Sequence, residues 1–307
     1  MKIAVLGCGA MGSIYAALLA SAGHEVTAID TNAEHMTAIN GSGLRVSGAS
    51  GDRTVSIRAC TTPPAESFDL VIIAVKGAFV AAAADSATSM MAEHTRILTI
   101  QNGLGSADEV AERLGADRLI VGVAQGFGAS LPAAGHAHHN DMKAIRMGSY
   151  AGLPHSETQR IASAWNEAGF DAGAVTDILS MQWNKLICNV AYSALAALTG
   201  KTVGEIMIDE HVGEVSRMAA TEAWQIAHAL NIELESDDPA QYVKDFAARM
   251  PDAKPSVLLD IEAGRPSEVG MINGAVPVQA GKIGLTAPIN DTLTRLVLDL
   301  EARNHRT

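Results

Sequence analysis

Six residues near the N-terminus, Gly7-Cys8-Gly9-Ala10-Met11-Gly12, form a G-x-G-x-x-G between a strand-like run and a helix-like run. In that setting the first glycine permits a tight turn, the second lets backbone approach a pyrophosphate, and the third lets the helix pack on the strand. The helix N-terminus adds free N–H groups and the positive end of a dipole. The next strand-like run ends at Asp30, 23 residues after Gly7, near the spacing of about 20 expected for an acid that binds ribose. A glycine turn and a strand-end aspartate would explain these residues one at a time. Strand, motif, helix and acid in one unit favour a dinucleotide site. Asp30 can accept two ribose hydroxyls but repels a 2′-phosphate, and Thr31 and Asn32 bring no compensating cation. The cofactor expected is therefore NAD(H), with NADP(H) admitted if Arg53 or Arg58 folds back onto a phosphate.

Four further groups could do chemistry. Ala74-Val75-Lys76 and Ile100-Gln101-Asn102-Gly103-Leu104-Gly105 each follow a strand-like run. They put a lysine and an amide at the carboxyl edge of a sheet, where open α/β sheets bind ligands. Alone, the first reads better as a solvated lysine and the second as a turn asparagine, but the two share one rim with the glycine loop. Lys185, Asn189 and Ser193 are spaced by four and so share one helix face, a polar stripe amid Leu186, Ile187, Val190, Leu195 and Leu198. A lysine in such company either snorkels outward or lines a cavity. The last group is Ser256-Val257-Leu258-Leu259-Asp260 followed by Gly264-Arg265-Pro266-Ser267-Glu268. Pro266 suits a helix's first turn, so Glu268 is either a first-turn acid favoured by the dipole or a catalytic carboxylate.

These residues need elements to hold them. In the first 150 residues, buried strands are expected at 3–6, 25–30, 70–75, 96–100 and 119–123. Helices alternate with them at 11–21, 33–39, 79–91 and 106–114, and further strands fill 122–150. Alternation of this kind implies βαβ units and a doubly wound parallel sheet. From about Ser156 the pattern turns helical, at 157–168, 178–197, 212–230, 240–249, 257–263, 267–283 and 289–302. Pro251, Pro255, Gly264, Pro266, Gly284 and Pro288 punctuate it. The fold expected is α/β: a Rossmann-type domain over 1–170 and an all-helical substrate domain over 171–307, with the site in the cleft between them.

Composition narrows the class. The chain has 307 residues, room for about two domains, and 48% hydrophobic against 18% charged residues suits buried cores. A formal charge of −12 argues against nucleic acid or anionic lipid as partner and leaves small anions open. Three scattered cysteines, Cys8, Cys60 and Cys188, make neither a disulfide framework nor a zinc spacing. With an N-terminal run too short for a signal peptide and no apolar run long enough for a bilayer, a cytoplasmic location is expected.

Together these motifs resemble the ketopantoate reductase (2-dehydropantoate 2-reductase) family over nearly the whole length. The resemblance rests on GCGAMG at 7–12, AVK at 74–76, QNGLG at 101–105, NKLICN at 184–189, SVLLDIEAGRPSEVGMINGAV at 256–276 and GLTAPIN at 284–290. It implies reduction of a 2-keto acid to a 2-hydroxy acid. Lys185 would be the general acid, with Glu268 as its catalytic partner. Lys76 and Asn102 would flank the nicotinamide end of the cofactor. Asn102, Asn189, Ser193 and Ser256 would hold substrate, and Asp260 would support the domain contact. The chain departs from the family at Ser193, where asparagine is usual, and at the next residue, Ala194 in place of proline. It departs again at Asp30, in place of a basic residue, and at Gln125, in place of threonine. The first and third differences leave room for an NAD-dependent D-2-hydroxyacid dehydrogenase acting on a bulkier keto acid. A β-hydroxyacid dehydrogenase or imine reductase shares the helical K-x-x-x-N but lacks the 256–276 stretch. A non-catalytic dinucleotide sensor would need none of Lys185, Asn189, Ser256 and Glu268.

Other features carry less. His136 and His138 would share a strand face, with His139 beside them, but no acidic or cysteine ligands accompany them, so no metal is expected. Cys8 at a helix N-terminus would have a lowered pKa. The acidic run Glu233 to Asp238 suits a solvated loop. The apolar helices of the second half leave a homodimer open.

Overall fold

The computed structural model describes residues 1–126, 128–141 and 144–304; Phe127, Met142, Lys143 and residues 305–307, parts of the expected strand region and C-terminal domain, lie outside it. The chain forms two compact units. One comprises Met1–Gln101 and Ser106–Ile178; the other comprises Asn102–Gly105 and the chain from Leu179 on.

The first unit contains β1 (Lys2–Leu6), α1 (Ala10–Ser21), β2 (Glu25–Ile29), α2 (Ala33–Ser42), β3 (Leu44–Gly48), β4 (Arg53–Val55), β5 (Arg58–Cys60) and β6 (Leu70–Ile73). It continues through α3 (Val80–Ala87), β7 (Arg96–Thr99), α4 (Ser106–Leu114), β8 (Leu119–Gln125), β9 (Gly128–Ala133), β10 (His136–Asp141), β11 (Ala144–Ser149), α5 (His155–Glu167) and β12 (Asp171–Ala174). Eight strands make one sheet in the order β12-β11-β8-β7-β6-β1-β2-β5. All neighbours are parallel except β8 and β11. The chain runs outward from β1 through β2 to β5, then returns to β6 on the other side of β1. That reversal is the topological switch point, and ligands bind outside the carboxyl ends of the strands there. Gly7 follows β1 and Lys76 follows β6, so both sit at that edge.

The expected sheet is present, but a second sheet accompanies it. β4-β3-β10-β9 form a four-stranded layer that packs on α1. This explains why α1 has no polar stripe: Gly12 through Leu19 are all buried, because α1 has a sheet on each side. β9 and β10 lie in the 122–150 stretch where strands are expected; periodicity misses β3 and β4, which are short and largely polar, as in RTV. Tyr15, Trp165 and Phe170 close the core behind α1, with ring centroids 4.7–6.0 Å apart.

The second unit is helical: α6 (Ile178–Thr199, its first residue in the first unit), α7 (Val203–Ile208), α8 (Val212–Ala229), α9 (Pro239–Arg249), α10 (Ser256–Glu262), α11 (Ala275–Lys282) and α12 (Pro288–Asn304). α6 is central and contributes Trp183, Leu186, Ile187, Val190, Ala191, Ala194 and Leu195 to the core. Periodicity had missed α7, a short helix closed by a capping box between Thr202 and Glu205. The helix expected at 267–283 is corrected: 268–274 are turns, and helix begins only at Ala275. A Cβ at Gly274 would stand 2.6 Å from the Gly270 carbonyl oxygen, so the segment is wound tighter than a side chain allows. Among the described residues no helix is long and apolar enough to cross a membrane.

A buried polar network braces this unit. The Glu222 carboxylate accepts the backbone N–H groups of Ile289 (3.0 Å) and Asn290 (2.8 Å) at the start of α12. The Asn290 amide donates to Glu222 and to the Ala219 carbonyl, and accepts from Asn273 at 2.9 Å. Asn273 also donates to the Val190 carbonyl of α6 at 3.0 Å. The turn segment after Glu268 is thereby bonded to the helix that carries Lys185.

Candidate active site

The glycine loop has a separate reason for each glycine. Gly7 has φ +94°, and a Cβ there would lie 2.5 Å from the Val75 nitrogen. A Cβ on Gly12 would lie 2.1 Å from the Gly7 carbonyl oxygen, so α1 can start only against a bare α-carbon. A Cβ on Gly9 would meet no protein atom within 4 Å. Among the described residues nothing demands glycine at that crest, whereas close approach of a pyrophosphate would. The N–H groups of Gly7 and Cys8 donate to the Ile29 carbonyl at 2.8 and 3.1 Å. The amides that the loop can turn toward phosphate are therefore those of Gly9, Ala10, Met11 and Gly12, at the first turn of α1.

Cys8 corrects the sequence reading. Its side chain is fully buried with Sγ 3.5 Å from Ser13 Oγ. Its pKa is raised to about 12, chiefly by burial, with Asp30 adding to the rise and Ser13 opposing it. It contributes small size to the loop, and its thiol faces the core.

Asp30 directly follows β2, and its Oδ1 accepts the Asn32 N–H at 2.9 Å. Asn32 in turn caps α2 by accepting from His35 N–H. Of the two arginines that might reach a 2′-phosphate, Arg53 donates to the Ser50 carbonyl and Arg58 pairs with Glu66. Lys76 is half-buried and precedes a short 3-10 turn over Gly77–Phe79. Gln101 is a structural residue that motif reading passed over. Its Nε2 donates to the carbonyls of Ile73 (2.7 Å) and Val75 (2.9 Å), and its Oε1 accepts from Thr99, locking the ends of β6 and β7 together. Its place in the QNG run is the signal that could have found it.

In the second unit three predicted residues meet. Lys185 Nζ donates to Asn102 Oδ1 at 2.7 Å, and Asn102 Nδ2 donates to Glu268 Oε2 at 3.3 Å. The asparagine amide is thus oriented by a donor on one side and an acceptor on the other. Lys185 has a pKa lowered to about 8: burial pushes it down, and the Glu268 carboxylate pushes it back up. Asn102 reaches this place because Gly103 has φ +81° and the Leu104 N–H donates to the Met271 carbonyl at 2.9 Å. A Cβ on Gly103 would be 1.9 Å from that carbonyl oxygen. Glu268 lies in the turn segment, seven residues before α11, so its reading as a helix first-turn acid is corrected.

The remaining predicted residues are spread further. Asn189 (half-buried) and Ser193 (buried) continue the Lys185 face of α6 toward its C-terminus. The adjoining Asn184 fixes the start of that helix by donating to the Ser180 carbonyl and accepting the Glu235 N–H. Glu235 belongs to the acidic run, which is therefore a tethered loop. Ser256 opens α10 and is exposed. Asp260 is buried and ion-paired with Arg265 at 3.1 Å, closing the end of α10. The histidine cluster is bonded to serines: His136 and His138 share Ser47, and His139 meets Ser50. Among the described residues no group of three His, Cys, Asp or Glu side chains is arranged to hold a metal.

Comparison with known proteins adds the lineage. A family profile described as "Ketopantoate reductase PanE/ApbA" matches residues 3–152, and its C-terminal counterpart matches 177–301. The 2-dehydropantoate 2-reductase of Pyrococcus abyssi is 30% identical over 302 residues, 98% of each chain. That of Archaeoglobus fulgidus is 28% identical over 303 residues, again 98% of each. The crystal structure of a PanE/ApbA family ketopantoate reductase from Ralstonia eutropha superposes with a TM-score of 0.90 at 30% identity, covering 99% of this chain and 100% of that one. D-mandelate dehydrogenase with NADH and anilino(oxo)acetate superposes at 0.91, covering 99% of each chain; at 23% identity this shows a shared fold. With both profiles matched in order, the chain belongs to the ketopantoate reductase family.

Proposed function

We propose that this protein reduces a 2-keto acid to a 2-hydroxy acid, with ketopantoate the first substrate to test and NADH the preferred reductant. The observation that carries the reading is the hydrogen-bonded set Lys185–Asn102–Glu268. A nicotinamide dinucleotide, when bound, supplies the hydride that adds to the keto carbon. As it adds, negative charge develops on the carbonyl oxygen. Lys185 is a cation with protons to give, so it stabilises that oxygen and then protonates it. Burial alone would favour neutral lysine; Glu268 keeps the proton on it. Asn102 holds Lys185 by its oxygen and Glu268 by its nitrogen, fixing the direction in which the ammonium points. Asn189 and Ser193, on the same helix face, offer hydrogen bonds to the substrate's carboxylate and hydroxyl.

The NADH preference is supported by Asp30, whose carboxylate would repel a 2′-phosphate, and by the engagement of Arg53 and Arg58 elsewhere. A second reading within the same chemistry has its own observation. Ser193 is buried where the family usually carries the longer asparagine, which leaves room for a keto acid bulkier than ketopantoate.

The test is loss of reduced-nicotinamide absorbance with ketopantoate, using NADH and NADPH side by side. Efficient turnover, faster with NADH, is the expected result. Lys185→Ala should lower kcat by about a hundredfold or more, the range for losing a general acid, while cofactor binding changes little. Near-normal turnover in that variant overturns the assignment of Lys185. If ketopantoate fails while cofactor binds, aryl and branched 2-keto acids test the Ser193 reading.

A further inference from the structure

His35 and Ser13 are buried, at 1% and 0% exposure, and the proposed chemistry uses neither. His35 lies in the first turn of α2, and its ring is hydrogen-bonded to α1 and to the turn between β9 and β10. Its Nδ1 accepts the Gly135 N–H at 2.9 Å. A backbone amide can only donate, so Nδ1 bears no proton and the neutral ring carries its proton on Nε2. Nε2 lies 3.0 Å from Ser13 Oγ and therefore donates to it. The Ser13 hydroxyl donates in turn to the Cys8 carbonyl at 3.2 Å. Burial lowers the His35 pKa, with Asp30 opposing, which agrees with a neutral ring.

This relay ends on the glycine loop. The peptide before Cys8 is fixed by its N–H to the Ile29 carbonyl. The peptide after it is fixed by its carbonyl to Ser13, so Cys8, the residue directly before the crest at Gly9, is held from both sides. His35 is also bonded the other way: its backbone N–H donates to Asn32 Oδ1, and the Asn32 N–H donates to Asp30. Those two bonds use backbone N–H groups that any residue at 35 would keep, so what is particular to histidine is the imidazole arm to Ser13.

We propose that His35 is a positioning residue for dinucleotide recognition, its imidazole acting through Ser13 on the glycine loop. The proposal rests on the dinucleotide reading of that loop. Packing alone does not account for the histidine. A leucine or methionine would fill a similar volume without burying two polar nitrogens, and buried polar groups are retained at a cost unless their bonds are made. Here both nitrogens are bonded, each to a different element.

The experiment is titration of reduced nicotinamide dinucleotide against wild type, His35→Leu, His35→Asn, His35→Gln and Ser13→Ala, read by nicotinamide fluorescence, with steady-state kcat and KM beside it. Glutamine can place an N–H where Nε2 stands; asparagine keeps an acceptor near Nδ1 but is too short to reach Ser13. His35→Leu, His35→Asn and Ser13→Ala should raise cofactor Kd about three- to tenfold, the range for one neutral hydrogen bond. His35→Gln should recover most of that loss, and the effect should fall on cofactor Kd and KM far more than on kcat. His35→Leu and Ser13→Ala combined should be no worse than either alone, since both cut one relay. Wild-type Kd in a folded His35→Leu overturns the proposal. If His35→Leu does not fold, Ser13→Ala and His35→Gln decide it on the same scale, and unchanged Kd in Ser13→Ala overturns it. Wild type that binds neither NADH nor NADPH overturns the dinucleotide reading itself, and the proposal with it.

Discussion

Lys185 is caught between two opposed effects, and in its proposed role as general acid their balance would set when it can act. Burial lowers its pKa to about 8, and Glu268 resists that fall. At pH 7 the side chain is mostly protonated, as a general acid must be. As pH rises through about 8 the proton is lost, so kcat/KM for keto acid reduction should fall along an alkaline limb near that value. Glu268→Gln removes the charge that raises the pKa, so the limb should move to lower pH and the rate at pH 7 should drop. A kcat/KM that stays level from pH 7 to 10 in wild type would remove Lys185 as the titrating acid. The spacing of Lys185, Asn189 and Ser193 was legible because period four on a helix is a local signal. The meeting of Lys185 with Asn102 and Glu268 was not, because Asn102 stands 83 positions before Lys185 and 166 before Glu268, and only folding brings them together.

At the scale of elements, two turn segments do the positioning that helices cannot. The 102–105 turn docks on the 268–274 turn through the Leu104 N–H and the Met271 carbonyl. Gly103 lies at that contact with positive φ, and a Cβ there would stand only 1.9 Å from the Met271 carbonyl oxygen. Gly103→Ala must therefore push two backbones apart, carrying Asn102 away from Glu268. The expected result is a loss of kcat/KM of about tenfold or more, with stability lowered by roughly 1–3 kcal/mol for a strained residue; thermal unfolding and steady-state kinetics on one preparation check both. Farther along, Asn290 makes bonds to Glu222, Ala219 and Asn273. Asn290→Ala leaves those buried partners unsatisfied and should cost about 1–3 kcal/mol or more, seen as a lower denaturation midpoint. The parallel strands and long helices were legible because each is a run of one period. The four-stranded sheet was legible only in part: strands were expected where β9 and β10 lie, but β3 and β4 are short and half-polar, and the separate layer declares itself only by pairing. The break at 268–274 was hidden for another reason: Val269, Ile272, Ala275 and Val276 keep helical spacing, and the tight approach of Gly274 to Gly270 overrides it.

For the whole molecule, charge and buried histidines pull stability in opposite directions as pH falls. The chain carries a formal charge of −12 and a sequence pI near 5.2. Acidification toward the pI relieves self-repulsion, which by itself would stabilise. The buried His35 and His139 and the half-buried His24, all in the first unit, work against it. Each has a pKa below the ordinary 6.5, with burial the largest cause. Nearby charges temper the effect: Asp30 raises His35, Asp141 raises His139 while His138 lowers it, and at His24 Glu167 raises while the N-terminal amine lowers. In the unfolded chain these rings return to about 6.5, so below that pH the unfolded state binds more protons than the folded one. Stability is then fully present above 6.5 and falls as pH drops toward the folded values, with a limiting slope of about 1.4 kcal/mol per pH unit for each fully buried ring. Carboxylates held low by partners, such as Glu66 and Glu157, lose their contribution only as pH falls below their ordinary 4.5. The interval from pH 7 to 5.5 therefore isolates the histidines. At 0.15 M salt surface repulsion is screened beyond about 8 Å, and the buried rings should prevail. The Tm should fall across that interval, keep falling when salt is raised to 0.5 M, and fall less steeply in His139→Gln, whose side chain does not titrate. A Tm that instead climbs steadily toward the pI would mean that repulsion, and not the buried rings, governs the acid response of the fold.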